Sequence, residues 1–487
     1  MNDDRSVLVT SIVAGGIVLV SSSWWLLRYR TSTRTGDSSK AAATAKKPKP
    51  RPPMAPVGML EMVAQMSGPE APFYLLNLAR RMQRNTFALP LPFWNGAFLV
   101  GDGKLAREMY AETDKAAQLY KPFEGLNATD TMFTHTNTAY MRSLRKGTAH
   151  AFSRNEVGRM NAIAQKHVQD FITQRLADMA NRGESFDPAM EMNRITFRVI
   201  CESACEYDSN EQEFQDFMHH SEIALKEFTF RQSTQPWRGM LWTLLPGVRE
   251  AIRSANIMKD FARKVLEAYQ SKPDKSDHKT LVRLVDENPV LQGLHDKKVA
   301  ELNNWLIAGH DTTGYTLSNM LVLLAKHTDK QEKLRKAVSE AREEEWESLP
   351  YLQWCLKETQ RIMPTAAMGS IRLANRDYVT HDDFVIPKGA ILMMVQSVPT
   401  HAETVFEQPE AFIPERWENP TQDQLDHFYP FALGPRNCPG RSLAMSEINS
   451  TIPRLLREYR FELVDEGTPH YFLTLKYAKA QLRPVKL

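Results

Sequence analysis

The chain has 487 residues, 42% of them hydrophobic and 24% charged, a globular composition that excludes a disordered, collagen-like or polytopic membrane protein. Its formal charge of +3 is unevenly placed: residues 28–51 hold eight Lys/Arg against Asp37 alone, so the chain from Pro52 onward is net acidic and carries no general nucleic-acid signature. The four cysteines, none in paired CxxC spacing, exclude a disulfide scaffold and a structural zinc site.

The first predicted element is an uncharged run of 21 residues, Val7–Leu27, VLVTSIVAGGIVLVSSSWWLL. At about 1.5 Å per residue, a helix of that length crosses about 30 Å of hydrocarbon. Trp24 and Trp25 sit near its end as interfacial anchors. Asp3 and Asp4 precede it and Arg28, Arg30 and Arg34 follow, so its C-terminal side is expected to face the cytosol. The acidic amino end and the bulky Trp-Trp-Leu-Leu finish oppose a cleaved secretory signal. An organellar transit sequence is the alternative, because residues 30–51 are rich in Ser, Thr, Ala and Lys. Residues 1–27 are therefore expected to form an anchor and 28–54 a basic, Pro-rich stem. In the stem, Lys46–Pro53 alternates prolines that remove amide donors and hold the chain extended as a semi-rigid spacer.

Residues 55–487 read as a mainly α body with minor β, without internal repeats, and with strand-like runs only around 97–101, 371–396 and 459–477. Between Trp237 and Pro246 the segment WRGMLWTLLP presents two tryptophans and four aliphatic residues, a pattern expected to dip into a bilayer. The run Ala308-Gly309-His310-Asp311-Thr312-Thr313 lies inside a long apolar helix. Spacings of three and four place Ala308, Asp311 and Thr312 on one face: a small residue, an acid and a hydroxyl able to relay protons through water. His310 falls off that face and reads as structural. Glu358 and Arg361, at i,i+3, taken alone would be an ordinary solvated helix bridge. Cys201, Cys205 and Cys355 read as small buried hydrophobes. Cys438 differs: it lies in the Gly/Pro-punctuated loop Phe431–Gly440, just before a helix start, where free amides and the macrodipole stabilise a thiolate. Gly434 and Gly440 there are expected to let backbone approach a flat cofactor.

Phe431, Gly434, Arg436, Cys438 and Gly440 together match the FxxGxRxCxG haem-binding signature, so the chain resembles the cytochrome P-450 superfamily over roughly residues 55–487. The resemblance implies the P-450 fold, a helical body with small β-sheets. It also implies haem b, with Cys438 as axial iron ligand, Arg436 on a propionate and Phe431 near the sulfur. Arg372 resembles a second propionate-binding arginine. Arg145 aligns with the basic residue of the family's WxxxR element, although Met141 stands where tryptophan is usual. Ala308 to Thr313 resembles the oxygen-activating helix, with Asp311 and Thr312 catalytic. Glu358 and Arg361, completed by Arg416 in Pro414-Glu415-Arg416-Trp417, resemble the buried ion triad that folds the proximal side.

A thiolate ligand favours O–O cleavage. The implied activity is insertion of one atom of O2 into a lipophilic small molecule, a lipid, sterol, fatty acid or terpenoid-like compound. Electrons would come from NADPH through a separate flavoprotein reductase at the endoplasmic reticulum membrane, with a plastid or other organelle membrane as alternative. By the same resemblance, residues 120–136, the helix around Ala308, residues 365–371 and residues 471–473 line an apolar pocket. A reductant-independent isomerase or lyase acting on peroxides is the runner-up, and a non-catalytic haem sensor is third. Retention of the Asp311-Thr312 pair favours the monooxygenase.

Overall fold

The sheet that frames the molecule is built from segments far apart in sequence. In a computed structural model of the chain the described residues are 49–487, apart from 137–138, 233–234 and 236. The expected anchor Val7–Leu27 and the stem as far as Pro48 lie outside them. Among the described residues no helix is long and apolar enough to cross a membrane. Pro50–Leu487 forms one compact unit.

Its longer helices, in chain order, are α1 Met59–Met66, α2 Ala71–Met82, α3 Gly103–Glu112, α4 Ala139–Thr148, α5 Arg154–Phe171, α6 Pro188–Val199, α7 Glu211–Leu225, α8 Pro246–Gln270, α9 His295–Lys326, α10 Thr328–Glu340, α11 Pro350–Ile362 and α12 Arg441–Glu458. The strands are β1 Thr86–Leu89, β2 Ala97–Val100, β3 Asp114–Lys115, β4 Ser370–Leu373, β5 Tyr378–Val379, β6 Val385–Ile386, β7 Ile391–Met394, β8 Tyr459–Asp465, β9 Thr468–Tyr471, β10 Leu475–Ala478 and β11 Gln481–Lys486. A five-stranded sheet runs β1-β2-β7-β4-β3, and β5-β6, β8-β11 and β9-β10 pair separately. The mainly helical body with small sheets agrees with the sequence reading. β1, β3 and β11 lie outside the runs that reading picked out.

The carboxyl end of the stem is docked rather than free. Val385 N donates to Pro50 O and Ala88 N to Pro53 O, both at 2.8 Å, and Met54 bridges Ala88 in parallel. Proline lacks an amide hydrogen but keeps its carbonyl, so an extended Pro-rich segment can still accept from a sheet edge. The spacer is thus shorter than its composition suggests.

Local signals start the helices that carry the core. Asp187 caps α6 by accepting from Ala189 N at 2.8 Å, with Pro188 at the first helical position, and Asn210 and Glu213 form a reciprocal capping box on α7. The 32-residue α9 is buried along most of its length, because it has apolar neighbours on nearly every side. Its amino half belongs to a cluster with α7 and α8, and its carboxyl half to a second cluster with α11 and α12. Gly314 allows α6 to approach closely: a Cβ there would sit 2.7 Å from Asn193 Oδ1. Thr196 Oγ1 on α6 also donates to the His310 carbonyl at 2.9 Å. α9 is therefore a fixed strut, and α12 packs across it carrying the cysteine loop at its amino end.

Candidate active site

Cys438 is the exposed one of the four cysteines; Cys201, Cys205 and Cys355 are buried, with thiol pKa values pushed up mainly by burial. A turn fixes it: Cys438 N donates to Phe431 O at 2.8 Å, and Gly440 is the residue that caps α12. Gly434 stands at φ +69°, and a Cβ there would lie 2.2 Å from the Tyr110 carbonyl. Its freedom serves backbone conformation and close packing against α3. At Gly440 a Cβ would make only ordinary contacts, 3.9 Å from Cys438 Sγ. Gly434 thus shapes the loop, and Gly440 lies beside the cysteine sulfur.

Desolvation by the surrounding loop raises the Cys438 pKa, and the Gly440 amide and the positive charges of Arg145 and Arg441 pull it down. The helix start lowers the cost of a thiolate without overcoming burial. Full deprotonation is what a coordinated metal ion imposes. Phe431 lends its carbonyl to the turn, and its ring lies 5.6 Å from the Arg441 guanidinium.

Beside this loop stand the basic residues. Arg436 donates to Asp114 Oδ1 at 3.0 Å, to Met132 O at 3.4 Å and to His135 O. Arg145 donates to Asn437 O at 2.8 Å and to its Oδ1 at 2.5 Å. Arg372 is fully buried; it donates to Ser370 Oγ at 2.8 Å and Thr113 O at 2.9 Å, and lies 5.0 Å from the Tyr110 ring. Lys115, absent from the sequence expectations, joins them because β3 pairs Lys115 with Arg372. Its ammonium faces Phe133 and Tyr120 at 3.8 and 4.5 Å from the ring centres. Burial first, then repulsion from Arg436 and Arg372, holds the Lys115 pKa well below that of an ordinary lysine. Burial likewise leads in pulling Arg145 and Arg372 down.

Four cations with one carboxylate, Asp114, among them leave positive charge uncompensated in a partly desolvated place. An anionic ligand is what that arrangement fits, and the two propionates of haem b meet it. No sequence signal marks Lys115, since only the long-range pairing of β3 with β4 brings it in. Met141 is buried in the core, and the neighbouring Tyr140 hydroxyl is buried with no hydrogen-bond partner among the described residues.

On α9, Ala308 and Thr312 are exposed within a stretch that is otherwise buried apart from the half-exposed Asn304 and Gly309, so a chamber lies beside them. Thr312 Oγ1 donates to Ala308 O at 3.0 Å. Asp311 does not share their exposure. Its carboxylate is buried and accepts from Thr474 Oγ1 at 2.6 Å, in the turn between β9 and β10. Tyr315, one turn on, accepts from Lys476 Nζ at 2.6 Å, and burial first, then the Asp311 charge, holds its pKa well above the ordinary value. The predicted single face therefore divides into an exposed Ala308-Thr312 stripe and a buried acid on its flank. His310 points away, its ring among Phe197 and Phe217 at 5.7 and 5.5 Å. Three of the predicted pocket segments converge, since Ile371 N donates to Tyr120 OH at 3.0 Å and the Thr316 and Thr365 hydroxyls meet at 2.9 Å; Leu475, just beyond residues 471–473, donates its N–H to Thr365 O at 2.8 Å.

The three triad residues come together completely. Arg361 donates twice to Glu358 at 2.9 Å, Arg416 Nε donates to Glu358 Oε1 at 2.9 Å, and both Glu358 and Arg361 are fully buried. Trp417 Nε1 adds a fourth member, donating to Glu358 Oε2 at 2.9 Å. The remaining Arg361 donors reach the carbonyls of Thr400, Pro409 and Ala411. Both guanidinium groups share the one carboxylate and the spare Arg361 donors are met by carbonyls, so every charged group is hydrogen-bonded, which is the condition under which a buried ion cluster is tolerated.

The cytochrome P450 family profile matches residues 93–484. Among curated proteins, the chain is similar to a leukotriene-B4 omega-hydroxylase 3 of Mus musculus, 31% identical over 60% of each chain. It is 30% identical to the probable cytochrome P450 12a5, mitochondrial, of Drosophila melanogaster over 49% of each. It is 36% identical to cytochrome P450 4F12 of Homo sapiens over 42% of this chain and 41% of that one. The matched region thus spans about half the length of these relatives.

Proposed function

The chain belongs to the cytochrome P450 family, and from that premise we propose that it is a haem-thiolate monooxygenase inserting one atom of O2 into a lipophilic substrate. Two observations carry this reading: Cys438 is exposed at the start of α12 beside a surplus of cationic side chains, and α9, against which α12 packs, leaves Ala308 and Thr312 exposed in an otherwise largely buried stretch. Haem b bound at this site, with Cys438 on iron, would supply dioxygen reduction and O–O cleavage. Lys115, Arg145, Arg372 and Arg436 would hold its propionates. Ala308 leaves room over a flat ring, and Thr312, with a rotatable hydroxyl, would hold the proton that reduction consumes. Asp311, kept in place by Thr474 and next to Tyr315, would return it.

Lipids are the proposed substrate class, supported by the apolar segments Thr365–Ile371 and by the hydroxylase name of one relative. Electrons are proposed to come from NADPH through a flavoprotein reductase, at the endoplasmic reticulum membrane through an anchor at Val7–Leu27. The exposed side chains of Met240 (83%), Trp242 and Leu244 (73%) form a second proposed membrane contact.

The test is a reduced, carbon monoxide-treated absorbance spectrum for thiolate ligation, followed by incubation with membrane lipid extract and heavy-isotope O2. Expected is a product carrying one labelled oxygen only when reductase and NADPH are present. Rearranged products formed without reductant would overturn monooxygenation in favour of an isomerase or lyase.

A further inference from the structure

Where the loop after Leu126 crosses α9, a line of amides runs head to tail. Asn303 Nδ2 donates to Asn127 Oδ1 at 2.9 Å, Asn127 Nδ2 donates to Asn304 Oδ1 at 3.1 Å, and Asn304 Nδ2 donates to Thr131 Oγ1. The line has one direction, so each member polarises the next. Asn127, Thr131 and Asn303 are buried, while Asn304 is partly exposed. Asn304 lies one helical turn before Ala308 and two before Thr312, on the stripe that opens into the chamber.

Its amide nitrogen carries two hydrogens, and the line uses one. Thr131, which accepts at the end of the line, is fully buried and holds Asn304 in orientation. The polar spot therefore offers the second amide hydrogen of Asn304 to the chamber. The unused acceptor, Asn303 Oδ1, is at the buried far end.

The charged groups beside it are committed. Lys297 and His135 both meet Asp130, at 2.5 and 2.6 Å, and Glu301 accepts from Met132 N at 2.7 Å. Arg436 and Lys115, which touch the same loop at Met132 and Phe133, belong to the cluster proposed to hold the propionates, and the acids Asp130 and Glu301 beside the amide line oppose a carboxylate. The spare donor suits a neutral oxygen.

We propose that Asn304, oriented by Asn127 and supported by Thr131, anchors a neutral hydroxyl or carbonyl oxygen of the lipophilic substrate, about 6 Å along the helix from Ala308 and about 12 Å from Thr312. This rests on the haem-thiolate reading and narrows its substrate class from apolar molecules in general to oxygen-bearing ones. The oxygen is remote from the carbon attacked, so it sets orientation rather than chemistry.

The test uses the full-chain holoenzyme and equilibrium binding, read from the shift of the haem absorbance band as ligand is added. The probes are 1-dodecanol, n-dodecane and laurate. Expected for the unaltered protein is dodecanol binding about fivefold to tenfold tighter than dodecane, with laurate weaker than dodecanol. In Asn304→Leu the alcohol-to-alkane ratio falls to about one, while Asn304→Ser, which keeps a donor, retains part of it. Thr131→Val, which removes the terminal hydroxyl, lowers the same ratio and carries the comparison if Asn304→Leu fails to take up haem. Equal binding of alcohol and alkane by the unaltered protein, a ratio unchanged in the variants, or preference for laurate would overturn the proposal. Absence of a thiolate-haem spectrum from the unaltered protein would instead overturn the reading on which it rests.

Discussion

Thr474 Oγ1 donates to Asp311 Oδ2 at 2.6 Å, so the acid of the long helix is tied to the turn between β9 and β10 and not to its sequence neighbour Thr312. Thr312 spends its own hydroxyl on the Ala308 carbonyl. For a proton to reach the chamber, Asp311 must turn away from Thr474 or pass it through water. Asp311→Asn removes the exchangeable acid and is expected to slow labelled-product formation about a hundredfold or more. Thr474→Val only loosens its hold, with an expected loss of about threefold to tenfold and more hydrogen peroxide released per NADPH consumed. Peroxide yield measured beside product checks both. A Thr474→Val protein with unchanged coupling would reduce that contact to a clamp on the hairpin.

Glu358 receives five donors from four residues, Arg361 twice, Arg416, Trp417 and the Ile413 amide. Glu358→Gln leaves two buried guanidinium groups facing a neutral amide, an expected loss of about 3–5 kcal/mol. The variant should accumulate poorly and carry little haem, whereas a fully loaded variant with slow turnover would assign Glu358 to chemistry. Far-ultraviolet circular dichroism with the reduced carbon monoxide spectrum separates these outcomes.

Local motifs and long-range pairings differed in how readable they were. The cysteine loop, the Ala308–Thr313 run and the Glu358-Arg361 spacing are short in sequence, and each falls where its neighbours suggest. Lys115 and Thr474 give no such sign: one reaches the cationic cluster through β3–β4 pairing, the other reaches Asp311 through a hairpin at the far end of the chain. The split of Asp311 from Thr312 also escaped helical spacing. Adjacent residues lie about 100° apart on the helix, and which of them faces the chamber depends on what the hairpin covers.

Lys115 has opposite effects in the two states of the protein. Without haem it is repelled by Arg436 and Arg372, and in the proposed complex it would gain a propionate carboxylate. Lys115→Met is therefore expected to raise the melting temperature of the haem-free protein and to speed haem loss from the loaded protein by about tenfold. Haem transfer to apomyoglobin and thermal melts of the two forms give the two signs. A change of the same sign in both would remove Lys115 from the cofactor's contacts.

The tip carrying Met240, Trp242 and Leu244 presents apolar side chains that nothing among the described residues covers. If it enters the bilayer, Trp242 lies within reach of acyl chains, and vesicles containing brominated lipid will quench it. Full-length protein and Trp242→Phe are compared in the same vesicles. The expected difference is a quenched component present in the first and missing from the second. Identical quenching in both would leave membrane contact to the remainder of the chain.

Glu447 on α12 is buried against Thr313 of α9, and burial pushes its pKa up to about 8. In the unfolded chain the same carboxyl titrates near 4.5. The folded state therefore binds a proton that the unfolded state has released between those two values. Its contribution is fully present below about pH 4.5 and is lost as pH rises towards about 8, at up to about 1.4 kcal/mol per pH unit. Glu447→Gln has no proton to take up and keeps an oxygen for Thr313, its amide leaving two hydrogens unpaired where the protonated acid leaves one, a difference that does not vary with pH. The variant's melting temperature should therefore rise, relative to that of the unaltered protein, by a growing margin from pH 5 towards pH 8. Glu301, pushed up to about 8 by burial, is unchanged in the variant, so the difference isolates Glu447. A melting-temperature gap that stays constant from pH 5 to pH 8 would mean that Glu447 is ionised in the folded protein.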